Sequence, residues 1–395
     1  MKNVIFMSPN FPTNYWHFCH ELRNNGVRVL GIGDQAYDTL PWELRDSLTE
    51  YYKVDSLENY DEAYRAVAFF IFKYGRIDFL ESNNEYWLEQ DAALRTDFNI
   101  PNGFRNEDVA RIKYKSGMKE YYRRAGIPTA RYHLADDLAG CRAFAAEVGY
   151  PIVAKPDNGV GANGACRINS DEELQRFLLG WDGQPYILEE FIRAEIQSYD
   201  AIYNSRGEPI FEAGNISPIS VMDIVNNNDN CAFYIRRELP EDMREAGRAT
   251  AKSFGVKSRF IHFEFFRLTE DQHIGRKGQI VALEVNMRPS GGFSPDMINF
   301  AHSTNVYKIW ADMVAFDRSD MPEGEHNFCA FAGRRDGRSF RLSHEEVLER
   351  YGASLRMVGR MPDALSGAMG NQMYLATFPT QEALDLFYED VLSPE

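Results

Sequence analysis

The chain has 395 residues, of which 44% are hydrophobic and 26% charged, as in soluble globular proteins, and this length predicts two or three domains. The formal net charge of −16 argues against nucleic-acid backbone as the main partner, because phosphate contacts require a basic surface. The charge does not exclude a nucleotide ligand, whose phosphates a metal ion and a few local cations can neutralise.

The five cysteines are odd in number and widely spaced, and they form no Cys-x-x-Cys motif. We therefore expect reduced thiols in a cytoplasmic protein, with neither a disulfide framework nor a zinc site. The apolar runs fall far short of the roughly 20 residues that span a bilayer. The only apolar run between Lys2 and Ser8 covers 4–7, so we expect no signal peptide.

The N-terminal part of the chain alternates short apolar strands with helices. In order, the sequence predicts a strand at 4–7, a helix at 15–25, a strand at 27–32, a helix at 57–72 and a strand at 77–80. This order predicts a parallel sheet, whose ligands bind beyond the carboxyl ends of its strands. Those ends are 8–10, 33–34 and 81–85, although ordinary turn chemistry also explains each of them.

Two lysines, Lys115 and Lys155, are informative as a pair and not singly. Lys115 lies between predicted helices at 106–113 and 117–124, where a lone lysine is normally surface charge. Lys155 ends a predicted strand and precedes a glycine-rich loop at 156–164. A lysine at the start of such a loop can reach the same ligand as the loop backbone.

The glycines of that loop spell Gly-x-Gly-x-x-Gly at Gly159, Gly161 and Gly164. The dinucleotide fingerprint requires a helix to open at the loop, but 165–168 predicts a second strand and the next helix starts only at Ser170. We therefore interpret the loop as a flap whose backbone N–H groups can close over phosphates. A protein kinase has a similar flap, but its lysine follows the loop and its other motifs have no counterpart here.

After the segment 186–192, the sequence predicts two alternating strands at 195–200 and 209–212. They could form the walls of a site for a flat aromatic ligand, although they fit a plain hairpin equally well.

The stretch from Gly214 to Arg237 looks long and irregular, and such segments in compact domains are often lids. A helix at 241–254 follows it.

The most informative stretch is a predicted hairpin with strands at 260–266 and 280–287. Because side chains alternate faces, the apolar face of the second strand should carry Val281, Leu283, Val285 and Met287. The opposite face then presents Glu264, Glu284, Asn286 and Arg288. Carboxylate and amide oxygens of this kind suit Mg²⁺, and a solvated polar face is the competing interpretation.

Beyond the hairpin, Gly291 and Gly292 lead into a predicted helix from Ser294 to about Phe316, whose N-terminus favours an anion such as a carboxylate or an acyl phosphate. The remaining pattern is strand, helix, strand, strand and helix, at 328–333, 343–351, 354–358, 372–378 and 381–392. It predicts a small C-terminal α+β appendage without a catalytic set.

Four features now stand in one order: a lysine before a helix ending in Gly-Ile-Pro, a lysine before a glycine flap, an apolar strand into Glu-Glu-Phe-Ile, and a Glu followed by Glu-x-Asn-x-Arg. In this order the chain resembles the ATP-grasp superfamily of ligases, and it looks closest to the branch of biotin carboxylase and carbamoyl phosphate synthase. The resemblance implies a parallel-sheet pre-ATP-grasp domain at 1–105, an ATP-grasp domain at 106–320 with a flap subdomain near 127–187, and a C-terminal α+β domain at 321–395.

The resemblance also implies residue roles. Lys115 and Lys155 would contact the phosphates of ATP, and the flap, including Asn158, Gly159, Gly161 and Gly164, would close over them. The residues that would contact adenine and ribose are Glu189, Glu190, Phe191, Ile192 and Glu195. The ligands of Mg²⁺, or of Mn²⁺ in its place, would be Glu264, Glu284 and Asn286, and Arg288 would steady the transferred phosphoryl group. A lysine that family members often carry before the helix at 241 is replaced by Arg236 and Arg237; we take Arg237 as a candidate, but the sequence does not decide between them.

Together these residues predict an ADP-forming ligase that activates a small carboxylate as an acyl phosphate and joins it to an amine, with an amino acid or short peptide as the expected substrate. One alternative is a carboxylase-type or carbamoyl-phosphate-synthase-like subunit acting on bicarbonate. Another is an ATP-binding regulatory protein without turnover. We expect small-molecule partners and neither nucleic acid nor membrane, and the sequence leaves open whether the chain forms a homodimer.

Overall fold

The computed structural model describes residues 1–159, 164–218, 224 and 227–395. In this part of the chain the strands form three sheets: a four-stranded sheet near the N-terminus, a second four-stranded sheet, and a nine-stranded sheet. None of the helices described there combines the length and the apolar character needed to cross a bilayer.

The N-terminal sheet confirms the predicted parallel arrangement. Its strands are β1 (Asn3–Met7), β2 (Arg28–Gly33), β3 (Glu50–Lys53) and β4 (Phe79–Glu81), in the order β3-β2-β1-β4. The helices between and after them are α1 (Trp16–Asn24), α2 (Trp42–Ser47), α3 (Tyr60–Tyr74) and α4 (Leu88–Asp97). Because β1 pairs with β4, their carboxyl ends lie side by side, and the segments 8–10 and 82–85 share one edge of the sheet.

Two helices and a smaller antiparallel sheet follow. The helices are α5 (Val109–Lys113) and α6 (Lys115–Ala125). The sheet has the order β5-β8-β6-β7, formed by β5 (Tyr132–Leu134), β6 (Ile152–Pro156), β7 (Cys166–Ile168) and β8 (Tyr186–Glu190), with helices α7 (Leu138–Val148) and α8 (Asp171–Leu179). The glycine-rich loop joins β6 to β7, as the sequence predicts, and residues 160–163, including Gly161, lie outside the described part.

The nine-stranded sheet has the order β14-β13-β9-β11-β12-β15-β17-β16, with β10 paired to β9. Its strands are β9 (Ala194–Tyr203), β10 (Pro209–Ala213), β11 (Asn215–Ser217), β12 (Cys231–Ile235), β13 (Arg259–Leu268), β14 (Ile280–Asn286), β15 (Phe328–Arg334), β16 (Leu355–Arg360) and β17 (Gln372–Phe378). The predicted irregular segment from Gly214 to Arg237 is therefore wrong in part, because β11 and β12 occupy both of its ends. The lid expected there falls partly on 219–223 and 225–226, outside the described residues.

The remaining helices are α9 (Glu241–Phe254), α10 (Ser294–His302), α11 (Val306–Phe316), α12 (His344–Tyr351), α13 (Asp363–Met369) and α14 (Gln381–Leu392), and single 3₁₀ turns occur at Tyr37–Thr39, Glu85–Trp87 and Asn106–Asp108. The helix predicted from Ser294 to Phe316 is in fact two. Ser303 adopts a positive φ of 48°, which ends α10, and the Asn305 side chain accepts from the Lys308 N–H at the start of α11.

One buried core connects the N-terminal sheet to the rest of the chain. Trp310 of α11 is completely buried and makes edge contacts with Phe6, Phe18 and Phe79, at ring-centroid distances of 6.0, 5.1 and 5.9 Å. The same core includes Phe331 of β15. Since β15 also pairs with β12, the C-terminal strands extend the large sheet and do not form a separate one.

Candidate active site

Six polar side chains share one face of the large sheet where β9, β13 and β14 run side by side. Ser198, Glu264 and Glu284 are directly opposed in one row, and the neighbouring row consists of Asp200, His262 and Asn286. Directly opposed residues of antiparallel strands place their side chains on the same face. The structure thus brings Glu264, Glu284 and Asn286 together.

The opposed pair Glu264 and Glu284 has the character of a cation site. Two carboxylates directly opposite each other repel unless a cation lies between or beside them. Burial raises the pKa of Glu264, but the hydrogen bond and charge of His262, followed by Arg288 and Lys155, hold it below its usual range. With the amide oxygen of Asn286 beside them, these oxygens fit the donor set of Mg²⁺.

His262 contacts the Glu264 carboxylate and orients it. Its Nδ1 lies 2.7 Å from Asp200 Oδ1, and its Nε2 lies 3.2 Å from Glu264 Oε1. Burial lowers the pKa of His262, yet Asp200 and Glu264 raise it to about 9. The protonated ring can donate to both carboxylates and so fixes the orientation of Glu264.

Three lysines converge on the acidic side chains. Lys115 Nζ lies 3.1 Å from Glu284 Oε1, and Lys155 Nζ lies 2.6 Å from Glu189 Oε2. Lys119, which the sequence reasoning missed, pairs with the other oxygen of Glu189. Because α6 begins at Lys115, Lys119 is one turn further on the same face, and this four-residue spacing was the available signal.

The flap is anchored to the lysine-bearing helix. The backbone N–H and the hydroxyl of Ser116 donate to the Asp157 carboxylate, at 2.8 and 2.6 Å, and the Lys115 N–H donates to the Asp157 carbonyl at 2.9 Å. Lys115 Nζ also donates to the Gly159 carbonyl at 3.1 Å. These bonds fix the first residues of the flap, including Asn158, beside the N-terminus of α6.

Arg288 connects this site to the N-terminal sheet. Its guanidinium donates to Asn286 Oδ1 at 3.2 Å and lies 3.8 Å from Glu85 Oε2, which belongs to the carboxyl-end segment after β4. Lys113 also contacts Glu85, at 3.3 Å. The polar face therefore meets the edge where a parallel sheet usually holds its ligand.

Comparison with known proteins finds similarity in part of the sequence and in the whole fold. No protein-family model matches the chain. It is 27% identical over 176 residues to the carbamoyl phosphate synthase large chain of Rubrobacter xylanophilus, and the match covers 42% of this chain but only 16% of that relative. The whole fold is similar to that of the L-amino acid ligase from Bacillus licheniformis, with a TM-score of 0.69, 16% identity, and coverage of 99% of this chain and 97% of that one.

A third similarity covers all of this chain and 90% of the biotin carboxylase domain of Hydrogenobacter thermophilus 2-oxoglutarate carboxylase, with a TM-score of 0.69 and 14% identity. The chain has an ATP-grasp fold. Its N-terminal parallel sheet, its small antiparallel flap sheet and its large antiparallel sheet are therefore the parts of an ATP-grasp fold.

In this ATP-grasp fold, the segment predicted to contact adenine connects β8 to β9. The Glu190 carboxylate is bound by Arg131, whose Nη2 lies 2.8 Å away, so this side chain is not directed at a ligand. The Arg167 guanidinium stacks on the Phe191 ring at 4.5 Å, and Ile192 is buried in a small apolar cluster with Ala130. The Glu189 carboxylate pairs with Lys119 and Lys155.

The two arginines before α9 have different surroundings. Arg237 is exposed and donates to the Pro379 carbonyl at 3.2 Å. Arg236 is half-buried, and Glu195 is among the charges that act on its guanidinium. Glu195 itself accepts from Gln197 Nε2 at 2.5 Å and is opposed to Arg267 in the sheet. Of the two, Arg236 is thus the better candidate for a ligand contact.

Proposed function

We propose that this chain is an ATP-dependent, ADP-forming ligase that joins a small carboxylate to an amine, most simply an amino acid or short peptide. The observation that carries the proposal is the in-register pair Glu264 and Glu284, flanked by Asn286 and faced by Lys115 and Lys155. The similarity to an L-amino acid ligase over nearly both whole chains supports the substrate class.

The residues suggest how the reaction would be promoted. The γ-phosphoryl group passes to a carboxylate oxygen of the substrate, which releases ADP and gives an acyl phosphate. The amine then attacks the acyl carbon and forms the C–N bond, the C–O bond to the phosphate group breaks so that inorganic phosphate leaves with that oxygen and the bonding electrons, and the amine loses a proton. Such transfers depend on positioning and charge neutralisation more than on a side-chain nucleophile.

Each part of the site would contribute to that neutralisation. Lys115 and Lys155 would hold phosphate oxygens, and their present partners Glu284 and Glu189 show that both ammonium groups can be reached by anions. Arg288 would steady the transferred group. Glu264, Glu284 and Asn286 would hold Mg²⁺, which when bound neutralises the phosphate charge. The flap beginning at Asn158 would exclude water from the acyl phosphate.

A second candidate function is activation of bicarbonate to carboxyphosphate. The sequence match to a carbamoyl phosphate synthase large chain favours it, as does the biotin carboxylase domain, which was solved with MgADP and bicarbonate. The chain spans about a sixth of that large chain's length, so the activity of the whole relative does not transfer to it. A regulatory ATP-binding protein would use the same lysines and carboxylates for nucleotide binding alone, without turnover.

The test is ADP release by the purified chain with Mg²⁺-ATP across pairs of amino acids, and separately with bicarbonate. We expect ADP release to depend on which amino acids are supplied and to be absent with bicarbonate alone, and a Glu284→Gln variant should lower the rate by about 100-fold or more. ADP release on bicarbonate alone would select the second candidate. No release under any condition, with unchanged ATP binding in the variant, would contradict both enzymatic proposals.

The proposal extends to the location, the partners and the oligomeric state of the chain. All five cysteines are free thiols, which supports a cytoplasmic location. Small molecules are the proposed partners. The biotin carboxylase domain was solved as a dimer, and a homodimer of this chain stays a prediction.

A further inference from the structure

A second cluster of ligand-type side chains lies outside the ATP-grasp site. His302 is the last residue of α10, and Glu323 and His326 belong to the segment that leads into β15. One ligand atom from each of the three lies within 4.8 Å of the others. Glu238, between β12 and α9, reaches the same cluster, with Oε1 3.5 Å from His326 Nδ1.

Main-chain hydrogen bonds position the residues of this cluster. The last turn of α10 has free carbonyl groups, and two of them accept from the following segment: the Gly324 N–H donates to His302 O at 3.0 Å, and the Asn327 N–H donates to Ala301 O at 2.7 Å. The Ser303 hydroxyl adds a bond to the Glu325 carbonyl at 2.8 Å. The positions of Glu323 and His326 against His302 are therefore fixed by main-chain contacts and not by their own side chains.

His302 has the arrangement of a metal-binding histidine. Only 3% of the residue is exposed, and its Nε2 lies 3.0 Å from the carbonyl of Arg236, to which it can only donate. This fixes the tautomer and leaves Nδ1 with a lone pair, and Nδ1 is a buried atom without a hydrogen-bond partner.

The other members of the cluster can supply further ligands. The His326 ring stacks on the His302 ring at 4.5 Å, and its Nε2 lies 2.8 Å from Glu323 Oε2. A cavity of about 220 Å³ opens beside the cluster. Of the arginines that line this cavity, Arg244 is paired with Glu212 at 2.7 Å and Arg237 is bonded to the Pro379 carbonyl.

We propose that His302, His326 and Glu323 bind a divalent transition-metal ion such as Zn²⁺, with Glu238 or a small molecule from the cavity as a fourth ligand. Two imidazole nitrogens and a carboxylate oxygen form a donor set typical of zinc, and they differ from the all-oxygen set proposed for Mg²⁺. The bound ion would tie α10 to the segment before β15. The sequence expectation of no zinc site follows from cysteine spacing, which gives no information about these histidines.

The experiment uses the untagged full chain, stripped with a chelator and titrated with Co²⁺ in excess Mg²⁺. We expect one Co²⁺ per chain to be bound with visible absorption bands of nitrogen and oxygen coordination. Glu323→Gln and His326→Gln should each weaken this binding by roughly tenfold or more. Zn²⁺ should raise the Tm of the wild type and not that of His326→Gln.

His344→Gln is the matched control, because His344 is also half-buried but bonds to the Tyr374 hydroxyl at 2.7 Å in a different part of the chain. It should bind Co²⁺ as the wild type does. Absence of Co²⁺ binding by the wild type would overturn the proposal, and so would unchanged binding in both His326→Gln and Glu323→Gln. Because neither readout measures turnover, failure here leaves the proposed ligase activity unaffected.

Discussion

At the scale of single residues, one buried carboxylate neutralises two lysines of the candidate site in the free chain. Glu189 lies between Lys119 and Lys155, and all three side chains are buried. Burial raises the pKa of Glu189, but the two ammonium groups outweigh it and lower the pKa to about 2. In the free chain this carboxylate is thus the counter-anion of both lysines, and we infer that phosphate oxygens would share this role when ATP binds.

Replacing Glu189 by Gln tests this balance. The substitution removes the carboxylate that both buried ammonium groups contact, so we expect the free energy of unfolding at pH 7 to fall by about 3 kcal/mol. Urea unfolding with and without Mg²⁺-ATP measures the effect, and the nucleotide should stabilise the variant more than the wild type. Glu270→Gln is the control, because its exposed pair with Arg193 should change stability by less than about 1 kcal/mol.

The sign of the pH dependence follows from the same pKa. Glu189 has an ordinary pKa of 4.5 in the unfolded chain and about 2 in the folded chain, so its contribution is complete above 4.5 and is lost as the pH falls towards 2. The stability difference between wild type and Glu189→Gln should therefore stay constant from pH 7 to about 5 and narrow as the pH is lowered from 4.5 towards 2. A difference that stays constant between pH 4.5 and 2 would contradict the assigned pKa.

At the scale of elements, alternation predicted the polar face of the hairpin but not its full register. Glu264, Glu284 and Asn286 share a face as expected. A β-bulge skips Leu283, so Ala282 pairs with Phe265 and moves to the apolar face, while Val281, which was expected on that face, pairs with Phe266. The extra residue of a bulge follows from packing against the partner strand, which the sequence of one strand does not encode. The short strands β11 and β12 were also not predicted: β11 has only three residues, and β12 pairs with β15, which is distant in sequence.

The close packing of α5 on α6 explains a glycine at the start of the lysine helix. A Cβ on Gly117 would lie 2.0 Å from the carbonyl oxygen of Ala110, which real contacts do not allow. We expect Gly117→Ala to destabilise the chain by about 2 kcal/mol and to weaken ATP binding, because α6 carries Lys115 and Lys119. Thermal unfolding and nucleotide titration measure the two effects.

Gly367 is a matched control within another helix. A Cβ there meets nothing within 4 Å, so Gly367→Ala in α13 should gain helix propensity and stabilise the chain by up to about 1 kcal/mol. The same chemical change is thus predicted to have opposite signs at the two positions. Equal effects at both would show that helix propensity, and not the contact with Ala110, decides the outcome at Gly117.

At the scale of the whole molecule, the three predicted domains share their packing. The hydrophobic pattern predicted β1, β2 and β4 of the N-terminal sheet, the strands β6 and β7 beside the flap, and most C-terminal elements with bounds close to those observed, because each is specified by local alternation. It missed β3 and the helix α13. The association of the three domains was not predictable, since it depends on contacts such as Phe6 with Trp310 and on the pairing of β12 with β15. The division at residue 320 stays a prediction about folding units.

Truncation after residue 320 tests that division. It removes β15, which pairs with β12 through five residues from Cys329 to Gly333, and it removes Phe331 and Leu375 from the core that contains Trp310. We expect the shortened chain to show no cooperative thermal transition, because β12 becomes an unpaired edge and the core becomes exposed. A chain lacking only the exposed residues 394–395 should unfold like the full chain. A cooperative transition in the shortened chain, at a Tm close to that of the full chain, would instead show that the C-terminal segment is an independent appendage, as the sequence suggests.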